Sequence, residues 1–209
     1  MKQVTAQELK RIDPHRFDKE YKAWLGYCLD YEWWDHVEQC FTDEMASKGV
    51  RVDNISFCAS YSQSDYAAFK GRVDMSKWMA LEKYDNEQTF AEAFPALYIA
   101  CVQDGGYATI SEGYRRTPEI EYSFWPHQTL PDGIFEYLDD EAWEELVLGQ
   151  EQEADLESNI RSWVDNQCYE LLRKLQREQD HLTSEETFIE SCECNDVTFE
   201  LEIEDEIHC

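Results

Sequence analysis

Basic residues are what this chain has least of for its size. Its 209 residues hold 18 Lys and Arg against 46 Asp and Glu, a formal net charge of −28. No Lys or Arg stands between Arg116 and Arg161, and none follows Arg177. Phosphate backbones and anionic membranes both demand a basic footprint, so direct binding to nucleic acid or to a membrane is not expected. Long apolar runs are missing too. Nothing approaches the roughly 18 consecutive apolar residues of a membrane span, and the opening "MKQVTAQELKRIDPHRF" has no apolar centre of a secretory signal. The eight cysteines (28, 40, 58, 101, 168, 192, 194 and 209) follow no framework spacing. The expectation is a cytoplasmic protein with reduced thiols, several buried as small hydrophobes. The patterns GxSxG, HExxH, GxGxxG and the P-loop are all absent. With no nucleophile elbow, zinc helix or phosphate cradle written in the chain, the expectation is a non-enzymatic protein without a cofactor.

What is present argues for a folded domain. Seven Trp, twelve Tyr and ten Phe bring the aromatic share to 14%, whereas acidic chains that stay disordered have little to bury. The charge is unevenly spread. Residues 1–49 carry ten acids and seven bases, residues 50–130 eleven and seven, and residues 131–209 twenty-five and four. Small domains need a net charge of only about 2–8 for solubility, and the excess is repulsive work against folding that a charge-driven contact would use. The division suggests an α+β core over 1–130 and a highly acidic helical segment with a C-terminal strand over 131–209, packed on the same domain.

Periodicity supplies the elements. Asp13-Pro14 reads as an N-cap with proline at the first helical position, followed by Phe17, Tyr21, Trp24, Leu25 and Cys28 on one stripe. A second stripe runs from Trp33 or Trp34 through Val37, Cys40 or Phe41 and Met45, stopping at Gly49. "VDNISFCASYS" and "DYAAFKGRV" then alternate with period two around a polar "SQSD" turn, a hairpin. Asp74 is placed to cap a short helix with Trp78 and Leu81, and a more apolar helix covers 89–102. "YATISEGY" and "EIEYSFW" form a second hairpin through "RRTP". Trp143, Leu146 and Val147 mark a helix interrupted at Gly149, and a longer stripe from Leu156 to Leu175 ends near Asp180. Thr183 or Ser184 with Glu186 or Glu185 resembles a capping box. In "VTFELEI", Val197, Phe199, Leu201 and Ile203 alternate inward and Thr198, Glu200, Glu202 and Glu204 outward. The class is α+β: an antiparallel sheet of two hairpins plus the C-terminal strand, packed with helices.

Two stretches resemble a known group. "ISFCASYSQSDYAAFKGRV" is similar, at Ser62, Gln63, Asp65, Ala67 or Ala68, Phe69 and Gly71, to a segment of uncharacterised small acidic proteins of tailed bacteriophages. "YELLRKLQREQDHLTSEETFIE" resembles their C-terminal helix and turn. Ser64 and Tyr66 depart from the pattern, which has glycines around the Asp. The resemblance implies a phage product acting inside a bacterial host and implies no activity.

The candidate binding surface is the acidic block "DDEAWEELVLGQEQEADLE" with the C-terminal strand. Asp139, Asp140, Glu141, Glu144, Glu145, Glu151, Glu153, Asp155 and Glu157 supply it, with Glu200, Glu202 and Glu204 on the strand and Trp34 as an exposed anchor. Alternate strand residues lie about 6.8 Å apart and helical turns about 5.4 Å apart, near phosphate spacing, although any strand or helix has those repeats. The distinguishing feature is the lack of interleaved bases. A generic solvated face competes with this reading. The expected partner is a basic host protein, such as a nucleic-acid-binding defence enzyme, inhibited by imitation of DNA or RNA. Alternatives are an antitoxin-like or assembly partner of a basic protein, and a divalent-metal enzyme using carboxylates. "CEC" (192–194) with His208 and Cys209 lacks a second ligand pair. Arg177 with His181 reads as helix-surface charge, and Asp104 with Glu112 as loop carboxylates. Lys70, Arg72, Arg115 and Arg116 are placed to neutralise acidic helices. None of these patterns sets the oligomeric state.

Overall fold

In the computed structural model, residues 2–60, 62–79, 107–112, 118–122 and 140–201 are described, with the side chains of Met79, Glu112, Tyr122 and residues 140–157 outside that description. The chain forms two compact units, Met1–Asp35 with Leu175–Cys209, and His36–Lys174. Neither boundary falls at residue 130, where the charge changes. Helices accompany a four-stranded and a two-stranded antiparallel sheet, an α+β arrangement.

The four-stranded sheet belongs to the unit of residues 36–174, and its order is β2 (Val50–Cys58), β3 (Tyr66–Asp74), β4 (Tyr107–Glu112), β5 (Pro118–Tyr122). Both predicted hairpins are there. In the first, Val52 pairs with Gly71 and Asn54 with Lys70, leaving Asp53 as the extra residue of a bulge. Gly71 is required beside it, because a Cβ there would lie 2.2 Å from the Arg51 carbonyl oxygen. The turn is organised by Asp65, whose Oδ1 accepts from the backbone N–H groups of Ser60 (3.0 Å) and Ser62 (3.1 Å) and from both hydroxyls. Partial desolvation pushes that carboxyl upward, but the four bonds outweigh it and hold it well below the usual range. Pro118 opens the edge strand, where a missing N–H is tolerated.

One sheet face is core. Val50, Ala67, Phe69, Val73, Ala108 and Ile110 are buried there. Helix α3 (Asp35–Ser47) buries Val37, Phe41 and Met45 at four-residue spacing, with Phe41 edge-on to Phe69 at 5.4 Å. The stripe thus runs through Phe41, and Cys40 is exposed. Asp74 caps α4 (Met75–Met79) by accepting from the Lys77 N–H. Trp78 is buried, and its ring meets Trp163 at 6.3 Å. Leu81 and the expected helix over 89–102 lie outside the described residues.

Helix α5 (Asp140–Leu182) corrects one expectation. It is a single 43-residue helix that passes through Gly149 without a break. One glycine costs a helix only about 1 kcal/mol relative to alanine, too little to stop a run of Leu, Glu and Gln on both sides. Ile160, Trp163, Val164, Leu171 and Leu175 form its buried stripe.

The other unit joins the two ends of the sequence. Strand β1 (Lys2–Val4) pairs antiparallel with β6 (Phe199–Leu201), so the C-terminal strand does not extend the hairpin sheet as expected. Helix α1 (Ala6–Ile12) starts with a closed capping box between Thr5 and Glu8, and α2 (Pro14–Leu25) starts at Asp13, as read from Asp13-Pro14. Val4, Ala6, Leu9, Phe17, Trp24, Phe188 and Cys192 form the core. The Tyr21 hydroxyl donates to the Thr183 carbonyl at 2.5 Å.

Helix α6 (Glu185–Cys194) is capped by Ser184 alone. Its third position is Thr187, whose N–H donates to the Ser184 hydroxyl, so no acid closes the predicted box. At the far end Asp196 adopts φ 53°, Asp196 N–H bonds Glu193 C=O and Val197 N–H bonds Cys192 C=O at 2.8 Å. That is a Schellman closure. It takes Val197 out of the expected strand and leaves it 43% exposed.

Candidate functional site

The acidic block occupies the first stretch of α5. Asp140, Glu141, Glu144, Glu145, Glu151, Glu153, Asp155 and Glu157 all sit on its continuous helical backbone, while their side chains, and the whole of Asp139, lie outside the described residues. Residues 140–157 hold eight acids and no base. At about 1.5 Å rise per residue they cover about 27 Å of axis, one negative charge per roughly 3.4 Å. Each strand of duplex DNA carries one per about 3.4 Å. From 158 to 182 the same helix carries four acids and four bases, so charge is segregated along one rod.

The bases of the balanced stretch have local work. Lys174 donates to Glu44 on α3, and Lys48 reaches both Glu44 (2.9 Å) and Gln167 (3.0 Å). Those bonds, from Lys174 first and Lys48 second, hold the Glu44 carboxyl below its usual range. Arg161 donates to the Pro118 carbonyl at 2.6 Å, and Arg173 pairs with Glu170 at 3.5 Å and lies over the Tyr169 ring. Burial pushes the Cys168 thiol of this helix up to about 11, against a hydrogen bond from the Phe69 backbone.

The remaining candidates are dispersed. Glu200 is exposed on β6 opposite Gln3, and its carbonyl accepts from Arg16 Nη1 at 2.5 Å. Glu202 and Glu204 lie outside the described residues. Trp34, read as an exposed anchor, is half-buried and packs edge-on to Trp33 at 5.8 Å. Within "CEC", Cys192 is buried in the core and Cys194 is exposed, so the two thiols do not converge. Among the described residues no three His, Cys, Asp or Glu gather as metal ligands do. Arg177 and His181 are exposed on α5. Asp104, Arg115 and Arg116 lie outside the described residues, and of Glu112 only the backbone is described.

One site was passed over in the sequence. Arg72, expected to neutralise an acidic helix, instead lies over the Tyr107 ring at 5.0 Å from its centroid. With Arg51 and Lys77 it lines a groove of about 480 Å³. The only signal was Arg51 and Arg72 at symmetric places in the two arms of one hairpin.

No helix among the described residues is long and apolar enough to cross a membrane. Comparison with protein-family models, with curated proteins and with solved structures found no match to this chain.

Proposed function

We propose that this chain is an acidic, phage-type binding protein that occupies the basic cleft of a host nucleic-acid-binding or defence enzyme in place of DNA or RNA. The observation that carries the reading is the charge segregation on α5, with eight acids and no base over 140–157 followed by a balanced stretch over 158–182. A helix acidic for solubility alone has no reason to separate the two stretches. A rod with the linear charge of one nucleic-acid strand presents a cleft with a similar field, and it has no scissile bond or bases to read. Long-range attraction raises the encounter rate, and occupancy then excludes the nucleic acid sterically.

The test is retention from bacterial lysate on the immobilised chain, with the partner identified and challenged by duplex DNA. The expected partner is a basic nucleic-acid-binding protein that DNA displaces. It should elute when salt is raised from about 0.05 to 0.5 M, where the Debye length falls to about 4 Å. The quadruple substitution Glu144→Gln, Glu145→Gln, Glu151→Gln and Asp155→Asn should abolish retention. A partner held equally in high salt, indifferent to DNA, or retained by the substituted chain would refute the reading.

A further inference from the structure

We propose that the groove beside Arg51 and Arg72 of the four-stranded sheet is a binding site for a phosphorylated small molecule, with the phosphate held by Arg51, Arg72 and Lys77. The two arginines are direct cross-strand partners, Arg51 on β2 opposite Arg72 on β3. Side chains at such positions leave the same face with Cβ atoms about 5 Å apart, and like charges there destabilise the pair. In a chain with 46 acids and 18 bases, two guanidiniums placed against each other call for an anion between them. Lys77 brings a third cation from α4 to the same groove.

The scaffold fixes these groups. Gly49, at φ 75°, runs beside the Lys77 stem so closely that a Cβ would lie 2.5 Å from Lys77 Cβ. The Asp74 N–H bonds the Gly49 carbonyl at 2.9 Å and ties α4 to that turn. Two carboxylates offset part of the charge. Asp53 takes Arg51 through two bonds, of 2.9 and 3.3 Å, and Asp74 lies 3.7 Å from Lys77. Arg72 has no carboxylate in ion-pair reach among the described residues. On that face Asp74, two residues along β3 and about 6.8 Å away by strand repeat, already serves Lys77 and lines the same groove. Glu121 lies beyond Thr109 on the intervening strand, about 9.6 Å away at the usual strand spacing. Among the described residues the three cations therefore exceed their local acids, Asp53 and Asp74, by one, on a protein of strongly negative net charge.

A guanidinium presents paired N–H donors in the geometry of phosphate oxygens. Stacking on Tyr107, which is 38% exposed, fixes the plane of the Arg72 fork. The groove volume of about 480 Å³ suits a mononucleotide-sized ligand, within the roughly 300–1,000 Å³ of small-molecule sites. The distant acids of the chain do not forbid this. At physiological ionic strength their field decays over about 8 Å, whereas the groove cations act in contact.

The test is calorimetric titration of the full chain with inorganic pyrophosphate and, separately, with ADP. The buffer holds about 0.15 M salt, as in physiological screening, and chelator, so that no divalent cation bridges the probe to the acidic surface. One site per chain is expected. Arg72→Gln and Arg51→Gln should each weaken binding by about tenfold or more, the worth of one charged hydrogen bond. Lys19→Gln, an exposed position on α2 with the same charge change, should leave it unaltered. A probe-induced rise in melting temperature, lost in Arg72→Gln, separates a broken site from a broken fold. Tighter binding of ADP assigns the groove to nucleotides, equal binding to the phosphate group, and both support the site. Absence of binding by either probe at about 10 mM, an affinity weaker than about 3 kcal/mol, overturns it. Equal loss in Lys19→Gln overturns it as well, by making net charge the determinant.

Discussion

Replacing Gly49 by alanine should destabilise the His36–Lys174 unit by an amount that can be divided into two causes. The residue has φ 75°, where an L side chain meets the backbone, and its Cβ would lie 2.5 Å from Lys77 Cβ. The left-handed conformation costs a non-glycine residue about 1–2 kcal/mol. The overlap adds to this, because Lys77 Cβ is the fixed root of its side chain and must retreat by about 1 Å to ordinary contact. Forced repacking of that kind costs about 1–3 kcal/mol. The sum is about 2–5 kcal/mol, and at about 2–4 °C per kcal/mol the melting temperature should fall by roughly 10 °C. Thermal and urea melts followed by circular dichroism give the total. A double-mutant cycle with Lys77→Gly isolates the overlap, since removing Lys77 Cβ removes the obstacle and leaves the conformational cost. A coupling of about 1–3 kcal/mol between the two substitutions is expected. Additive effects, or a Gly49→Ala melt within about 1 °C of wild type, would refute both the turn geometry and the fixed placement of Lys77.

The Glu44 bridge sets a pH-dependent difference between wild type and Glu44→Gln. Its folded-state carboxyl sits below the ordinary value of 4.5, mainly through Lys174 and then Lys48. The stabilisation is therefore complete above that value and lost as pH falls through the folded pKa. With side chains of 24% to 40% relative exposure in the cluster, the discounted worth is about 0.5–1 kcal/mol. Urea midpoints of the two proteins should differ at about pH 6, and the gap should narrow steadily as pH falls below the ordinary value; a constant gap would contradict the assignment. Alkylation at about pH 8 should modify Cys40 and Cys194 well before Cys168 and Cys192, because only thiolates react and burial raises the latter two thiols. Peptide mapping by mass spectrometry reads the order, and early labelling of Cys168 would contradict its packing against β3.

Local patterns carried much of the fold. The Asp13-Pro14 start, the Val37 and Met45 stripe, both hairpins and the Asp74 cap each depend on residues near in sequence, and each is formed. The failures depend on distant or competing interactions. Strand β1 is three residues long and gains its order from Phe199–Leu201, almost the whole chain away, so no window of sequence reveals it. The capping box of Thr5 and Glu8 was legible as "TAQE" and was the missed signal for α1. Val197 fits strand alternation, but the Schellman closure at Asp196 claims its N–H for Cys192. Gly149 looked like a stop because its neighbours on each side had separate apolar stripes, yet one glycine is a small cost within a 43-residue helix.

Composition revealed the acidic excess but not why the charge is segregated, and the structure supplies a reason on one side of the boundary. Three of the four bases on α5 are tied down within the His36–Lys174 unit, Arg161 to the Pro118 carbonyl, Arg173 to Glu170 and Lys174 to Glu44. Arg161 and Lys174 tie the helix to β5 and α3 while Arg173 pairs within it, and counting charges cannot distinguish such bases from solvated ones. The acids over 140–157 have no base on their own stretch of helix at all. Pairing within that stretch therefore cannot offset the acidic block, and this is the ground on which the proposed binding to a basic partner rests. The groove at Arg72 inverts the same logic, with a cation left beside an aromatic ring in a chain rich in carboxylates. Both proposals rest on how charge is distributed and not on its total. The sequence concealed the second because strand pairing alone brings Arg51 and Arg72 together.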